Sequence, residues 1–394
     1  MNQASFEDGL RAELSRLAKA GLLRRLVTTS VGSGDSVVMD GKSVVDLSSN
    51  DYLGLSRHPL LKRAAMEAID KYGVGARASR LMSGNFHLYD QLEEAIASLK
   101  GTEASLVFGS GYLCNLSVIS GLVGPSHCIV MDKLCHASIV DGALLSRARI
   151  IRFPHNDLEY LEGILKRKRQ DYKGVLIVAE SLYSMDGDFA PVNELVALGR
   201  KYNALVMVDE AHALGVFGKR GEGLIAQDSQ EKPDLIIGTF GKALGSYGAF
   251  CATSKVIKDF LINKARGLIY STALPPGTLA ANIEAVNLVV KLTDARQKVL
   301  EIADDFRDFV QRELCLATRG KSQIVPLILK EVSEVAALEA FLREHHILAK
   351  AIRPPTVPKD SPRIRFSFCA HHGRDTLHLI KKVLREFFKK GQNS

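Results

Sequence analysis

Lys242 lies between two glycines in the stretch Thr239-Phe240-Gly241-Lys242-Ala243-Leu244-Gly245, directly after the apolar run Leu235-Ile236-Ile237. The run reads as a short buried strand. The glycines let backbone pass close to another group, so a lysine at this strand end can meet a flat ligand. A buried lysine gives up its proton readily, which is the requirement for Schiff-base chemistry. In open α/β sheets ligands sit beyond the carboxyl ends of the strands, so the polar residues after the other predicted strands form one candidate set. Gly109-Ser110-Gly111-Tyr112 opens a helix whose first N–H groups can hold a phosphate. His136 follows a second strand, Glu180 and Ser184 a third, Asp209 and His212 a fourth, and Thr239 with Lys242 a fifth.

Taken singly, each of these is more often structural than functional. Five together at strand ends match the needs of pyridoxal 5'-phosphate (PLP): an amine to bond the aldehyde, a carboxylate to keep the pyridine nitrogen protonated, and turn amides and hydroxyls for the phosphate. Asp209-Glu210-Ala211-His212 also spells a helicase box. That chemistry needs an upstream phosphate loop GxxxxGK[ST], and the chain has none.

Strand and helix signals alternate between residues 48 and 275. Strands are expected at 105–108, 127–131, 150–153, 175–179, 205–208, 235–239 and 248–253, with Asn156 capping a helix. Such alternation predicts an α/β domain with a mostly parallel sheet covered on both faces. Residues 276–394 read as a smaller C-terminal α+β domain, helical over 277–316 and with strands at 324–329, 347–352 and 364–368. Residues 1–47 read as an amphipathic helix over 5–25, carrying Leu10, Leu14, Leu17 and Leu22, followed by two short strands that pack beside the small domain.

The chain has 394 residues, a net charge of +8 and a pI near 9.1, but its charges are scattered, which argues against nucleic acid as a partner. The six cysteines form no CxxC pair, so reduced thiols and no metal site are expected. No apolar run can span a bilayer. A cytoplasmic protein that does not engage membranes is expected.

Together the motifs resemble the α-oxoamine synthases, fold-type-I PLP enzymes. The resemblance runs through Ser48-Ser49-Asn50-Asp51-Tyr52-Leu53-Gly54-Leu55, Ser83-Gly84-Asn85, His136-Ala137-Ser138, Ser184-Met185-Asp186-Gly187-Asp188, Asp209-Glu210-Ala211-His212 and Thr239-Phe240-Gly241-Lys242. Phe153-Pro154-His155-Asn156-Asp157, Leu268 to Pro276 and Ile352 to Pro358 point toward the biotin-pathway members. The resemblance implies that Lys242 is the Schiff-base lysine, that Asp209 pairs with the pyridine nitrogen, and that His136 stacks on the ring and polarises the acyl carbonyl. Ser184 and His212 would bond the phenolic oxygen, with Glu180 nearby. Gly111, Tyr112 and Thr239 would contact the phosphate, joined by Ser271 and Thr272 of a partner copy in a homodimer with shared sites. Asn50 and Arg365 would hold the amino-acid carboxylate, and Arg24 and Thr356 the acyl substrate. The implied substrates are L-alanine and a pimeloyl thioester, on coenzyme A or acyl carrier protein. A sister activity on glycine and acetyl-CoA is the alternative. The chain departs from the family at Gly75-Ala76-Arg77-Ala78-Ser79-Arg80, where a Gly-Gly-Ser segment is common, and at Glu210 and Ala213, where Asp and Gly are common.

Overall fold

The structure, a computed structural model, describes residues 3–24, 26–226, 229 and 231–392. Helix α1 (Gln3–Lys19) is followed by β1 (Ser30–Val31), β2 (Ser36–Met39), β3 (Lys42–Asp46), α2 (Pro59–Tyr72) and α3 (His87–Lys100). The alternating region comprises β4 (Ala104–Phe108), α4 (Gly111–Leu122), β5 (His127–Asp132), α5 (Ala137–Ser146), β6 (Arg149–Phe153), α6 (Leu158–Lys168), β7 (Gly174–Glu180), α7 (Val192–Lys201), β8 (Leu205–Asp209), β9 (Leu235–Thr239) and β10 (Ala249–Thr253). Then come α8 (Lys255–Lys264), α9 (Arg266–Ile269), α10 (Pro276–Val289), α11 (Thr293–Arg312), β11 (Ile324–Ile328), α12 (Val332–Glu344), β12 (Ile347–Leu348), β13 (Lys350–Ile352), β14 (Arg363–Ser367) and α13 (Arg374–Gln392).

Seven strands form one sheet in the order β4-β10-β9-β8-β7-β5-β6. Only β10 runs against its neighbours. The central strands are buried along almost their whole length, because helices cover both faces and leave no solvated side for polar residues. The expected mostly parallel α/β fold is therefore what the chain adopts. Apolar side chains on the two faces of this sheet form two separate clusters. One contains Val130, Ile177, Val208 and Ile236; the other contains Ile129, Val178, Met207 and Ile237. A third cluster, around Phe306, Phe366 and Phe368, lies under the β11-β14-β13 sheet.

Several local expectations are corrected. Helix α1 ends at Lys19 rather than at 25, because Gly21 takes a left-handed backbone (φ 66°). Arg24 therefore lies beyond the helix and is exposed; Arg25 lies outside the described residues. The α6 cap is Asp157, whose carboxylate accepts the Tyr160 N–H (2.8 Å), not Asn156. The stretch 277–316 is two helices broken at 290–292. The stretch 347–352 divides between sheets: β12 runs parallel to β3, while β13 pairs with β14.

A buried ion pair anchors the turn after β8. Lys100 Nζ donates to the Glu210 carboxylate and to the Glu222 carbonyl, and both side chains of the pair are sealed from solvent. Glu210 Oε1 also accepts the N–H groups of Leu224 (2.7 Å) and Ile225 (3.2 Å). A Cβ at Gly223 would lie 2.6 Å from the same carboxylate. Removing one partner of a buried pair leaves an uncompensated charge. Lys100→Met is expected to cost about 3–5 kcal/mol, read as a lower urea midpoint; an unchanged midpoint would show that the pair contributes nothing.

Candidate active site

The expected residues converge at the carboxyl ends of β5, β7, β8 and β9. Lys242 is held in the turn after β9, where Gly245 N–H donates to the Lys242 carbonyl (2.8 Å) and Ser246 N–H to the Phe240 carbonyl (2.8 Å). Gly245 has φ 64°, and a Cβ there would lie 2.3 Å from Ser56 N, so only glycine lets the turn close on the 48–56 loop.

Lys242 Nζ lies 2.8 Å from His212 Nε2, and His212 Nδ1 lies 2.7 Å from Tyr52 Oη. Tyr52 donates its single proton to Asn50 Oδ1 (3.1 Å). Nδ1 must therefore be the donor toward Tyr52, which leaves Nε2 of a neutral imidazole as the acceptor facing the amine. Burial, with the nearby Lys242 and Arg365 cations, keeps His212 well below the usual histidine range, in agreement with a neutral ring. Arg365 closes the line. Its Nη2 donates to Asn50 Oδ1 (3.1 Å) and Tyr52 Oη (3.3 Å), and its Nε to the Ser184 carbonyl (2.7 Å). Gln323 secures His212 from behind, Nε2 to carbonyl at 2.8 Å.

A second chain of hydrogen bonds joins Asp209 to His136. Asn115 Nδ2 donates to Asp209 Oδ2 (2.8 Å) and to Ser138 Oγ (2.9 Å). Ser138 Oγ lies 2.8 Å from His136 Nδ1, which also accepts the Ser138 N–H (3.2 Å). Since Nδ1 accepts, a neutral ring carries its proton on Nε2. Burial, outweighing the opposing pull of Asp209, lowers His136 and favours that neutral form. Glu180 pairs in register with Asp209 and accepts the His136 N–H at 2.5 Å. Burial, reinforced by Asp209, pushes its carboxyl up to about 8. Burial pulls the Lys242 ammonium down to about 8, against the opposing pull of Asp209 and Glu180.

The donor set fits PLP. A low-proton-affinity amine, a buried carboxylate and a histidine with a free N–H lie at adjacent strand ends. Beside them, the first N–H groups of α4 open toward the Thr239 hydroxyl: a Cβ on Gly111 would lie 3.9 Å from Thr239 Oγ1. Ser110 caps α4 at the Leu113 N–H (3.2 Å), leaving the Gly111 and Tyr112 amides for a phosphate. The Tyr112 side chain turns away to Asp141.

Other expected residues are not in this cluster. Ser184 contributes its carbonyl to the Arg365 bond. Ser271 and Thr272 lie beside Ser79 and Gly109 at the edge of the fold. Arg24 and Thr356 are exposed. The two segments that carry them meet where Arg353 donates to the Gly21 carbonyl and Thr356 N–H to the Arg353 carbonyl (3.1 Å). Four residues given no role from the sequence complete the network: Tyr52, Asn115, Ser138 and Gln323. Tyr52 and Ser138 stand inside motifs already noted. Asn115 carried a signal as an amide within an apolar helix, whereas Gln323 has none outside the tertiary structure.

Fold and site together define a PLP enzyme of fold type I. The family model described as aminotransferase class I and II matches residues 42–383, and the chain belongs to that family. Its particular likeness is to 8-amino-7-oxononanoate synthases: it is 45% identical to that of Geobacter sulfurreducens, over 93% of this chain and 95% of the relative. A variant serine palmitoyltransferase of S. paucimobilis with a bound PLP–myriocin aldimine superposes with a TM-score of 0.90 at 30% identity, covering 99% of each chain. The 8-amino-7-oxononanoate synthase of Francisella tularensis superposes with a TM-score of 0.76 at 28% identity, covering 89% of this chain and 98% of that one.

Among the described residues no group of three His, Cys, Asp or Glu is placed to hold a metal, and no helix is long and apolar enough to cross a membrane. All six cysteines are free, and only Cys315 is exposed.

Proposed function

We propose that this chain condenses L-alanine with a pimeloyl thioester, releasing CO2 and the free thiol and forming 8-amino-7-oxononanoate. The observation that carries this reading is the unbroken line Lys242–His212–Tyr52–Arg365, which sets a carboxylate-binding guanidinium at a fixed offset from the lysine amine that would hold the cofactor. PLP supplies the electron sink for the carbon–hydrogen and carbon–carboxylate bonds broken at the α-carbon. Lys242 would hold the cofactor and move the α-proton; its lowered proton affinity suits a base working near neutral pH. Asp209, braced by Asn115, holds the proton on the pyridine nitrogen. His212 would orient the phenolic edge and the α4 amides would hold the phosphate, bordered by Thr239, whose hydroxyl donates to the Gly248 carbonyl (2.9 Å). His136 would lie over the ring and offer its Nε2–H to the thioester carbonyl, stabilising the oxygen as the thiol departs. Arg365 and Asn50 hold the alanine carboxylate until it leaves as CO2, and Arg24 and Thr356 meet the acyl substrate at the cleft entrance.

A second copy of the chain would complete the phosphate end. The edge that carries Ser271 and Thr272 also exposes Tyr270, Leu81 and Met82, the last 80% exposed, an apolar patch suited to a homodimer. The scattered charge and reduced thiols support a cytoplasmic setting.

The deciding experiment is a substrate panel with CO2 and thiol counted together. It would contain alanine with pimeloyl-CoA or pimeloyl-acyl carrier protein, glycine with acetyl-CoA, and serine with palmitoyl-CoA. Preference for either of the last two pairs would overturn the reading. A narrower test is Arg365→Lys. Among the described residues Arg365 Nη1 makes no hydrogen bond, and a lysine cannot reproduce the planar fork. The expected result is a KM for alanine raised by roughly 10- to 100-fold, the loss of one charge-assisted hydrogen bond, with a much smaller change in kcat.

A further inference from the structure

His155, in the turn after β6, plays no part in the chemistry above, yet each of its ring nitrogens faces a carboxylate. Its Nδ1 lies 3.0 Å from Asp132 Oδ2, and its Nε2 lies 2.7 Å from Asp188 Oδ2. The Tyr183 ring meets it edge-on, centroids 4.4 Å apart at 89°. A neutral imidazole has one N–H and could satisfy only one of two carboxylates; this geometry requires the imidazolium. The groups facing the ring are Asp132 from the end of β5, Asp188 and Tyr183 from the 181–190 loop, and Asn156 beside it.

Those partners belong to segments that carry the site. Asp132 Oδ1 also accepts the Leu134 N–H (2.8 Å), shaping the turn that leads to His136. Asn156, left-handed at φ 58°, donates its Nδ2 to the Phe189 carbonyl (3.0 Å). The 181–190 loop is a tight hairpin closed by the Tyr183 N–H to Asp188 carbonyl bond (3.0 Å). From its tip the Ser184 carbonyl fixes Arg365 Nε, and Asp186 Oδ1 takes Arg363 Nη1 (2.8 Å) and Arg319 Nη1 (2.8 Å).

We propose that His155 is a positioning residue: as a cation bridging Asp132 and Asp188, it locks the 181–190 hairpin to the end of β5 and so fixes the angle at which Arg365 meets the amino-acid carboxylate. The proposal rests on the functional reading above in taking Arg365 as the carboxylate holder. Burial opposes the charge, but hydrogen bonds to Asp132 and Asp188 outweigh it and hold the ring up at about 9. The lock is therefore closed below that pH and opens above it.

The test is the pH dependence of the amino-acid KM in the holoenzyme, for the unaltered chain, Asp188→Asn and His155→Gln. In the unaltered chain KM should rise as pH passes about 9. Asp188→Asn removes one of two carboxylates, so the rise should move down by roughly 1 pH unit or more. His155→Gln should show a raised KM at every pH, with that inflection gone and kcat altered far less. Ionisation of the amino acid itself is common to all three proteins and cancels in the comparison. An inflection at the same pH in all three would overturn the proposal. NMR titration of His155 in the unaltered chain, its ring signals assigned by through-bond correlation to its own backbone, needs no clamp variant: titration near the ordinary histidine value would also overturn it. Absence of turnover by the unaltered chain with any amino acid would instead sink the functional reading, and the titration would still judge the clamp.

Discussion

Lys242→Ala is expected to lose turnover by ~10⁴-fold or more, since it removes both the covalent anchor and the base. Borohydride should then leave no cofactor attached to the chain, whereas the unaltered protein should retain it. The fold should survive, because the turn is held by backbone bonds at Gly245 and Ser246 rather than by the amine. A pH signature accompanies this result. Only the neutral amine attacks an aldehyde, and in the cofactor-free chain burial brings Lys242 down to about 8. Covalent capture of PLP by the unaltered chain should therefore speed up as pH rises through about 8 and level off above it. Turnover retained in Lys242→Ala would remove the lysine from its role.

Asp209→Ala carries the second-largest effect. The carboxylate is 6% exposed, Oδ1 is bound to the Ala211 N–H (2.8 Å) and Oδ2 to Asn115 Nδ2 (2.8 Å), so its position is set from two sides. Removing one preorganised charge of this kind costs on the order of 10²–10³ in kcat, and weaker retention of PLP should accompany it. Asp209→Asn separates charge from shape: it can keep the bond from Asn115 yet cannot hold a proton on the ring nitrogen. If the role is electrostatic, the two variants fall together in kcat. If Asp209→Asn matches the unaltered chain, the carboxylate is only a brace.

The sheet and most of its chemistry were legible in the sequence because both depend on local pattern. Strands buried on both faces must be continuous apolar runs, and the residue that ends each run is delivered to the same edge. Lys242, Asp209, Glu180 and His136 could thus be placed together without any knowledge of packing. Local breaks were harder to see. The early end of α1 turned on one left-handed glycine, and the split of 347–352 turned on which neighbouring strand each half could reach.

What the sequence alone determined is which groups stand at the strand ends, because strand periodicity and turn chemistry are encoded within a few residues. What only the tertiary structure decided is how those groups are linked. Tyr52 lies 160 residues from His212, and Arg365 lies 315 from Asn50, so no local pattern relates them. Proton positions on His212 and His136, the loss of proton affinity at Lys242 and the charge on His155 arise from burial and from partners brought by distant segments. They exist only once the chain has closed on itself and excluded water.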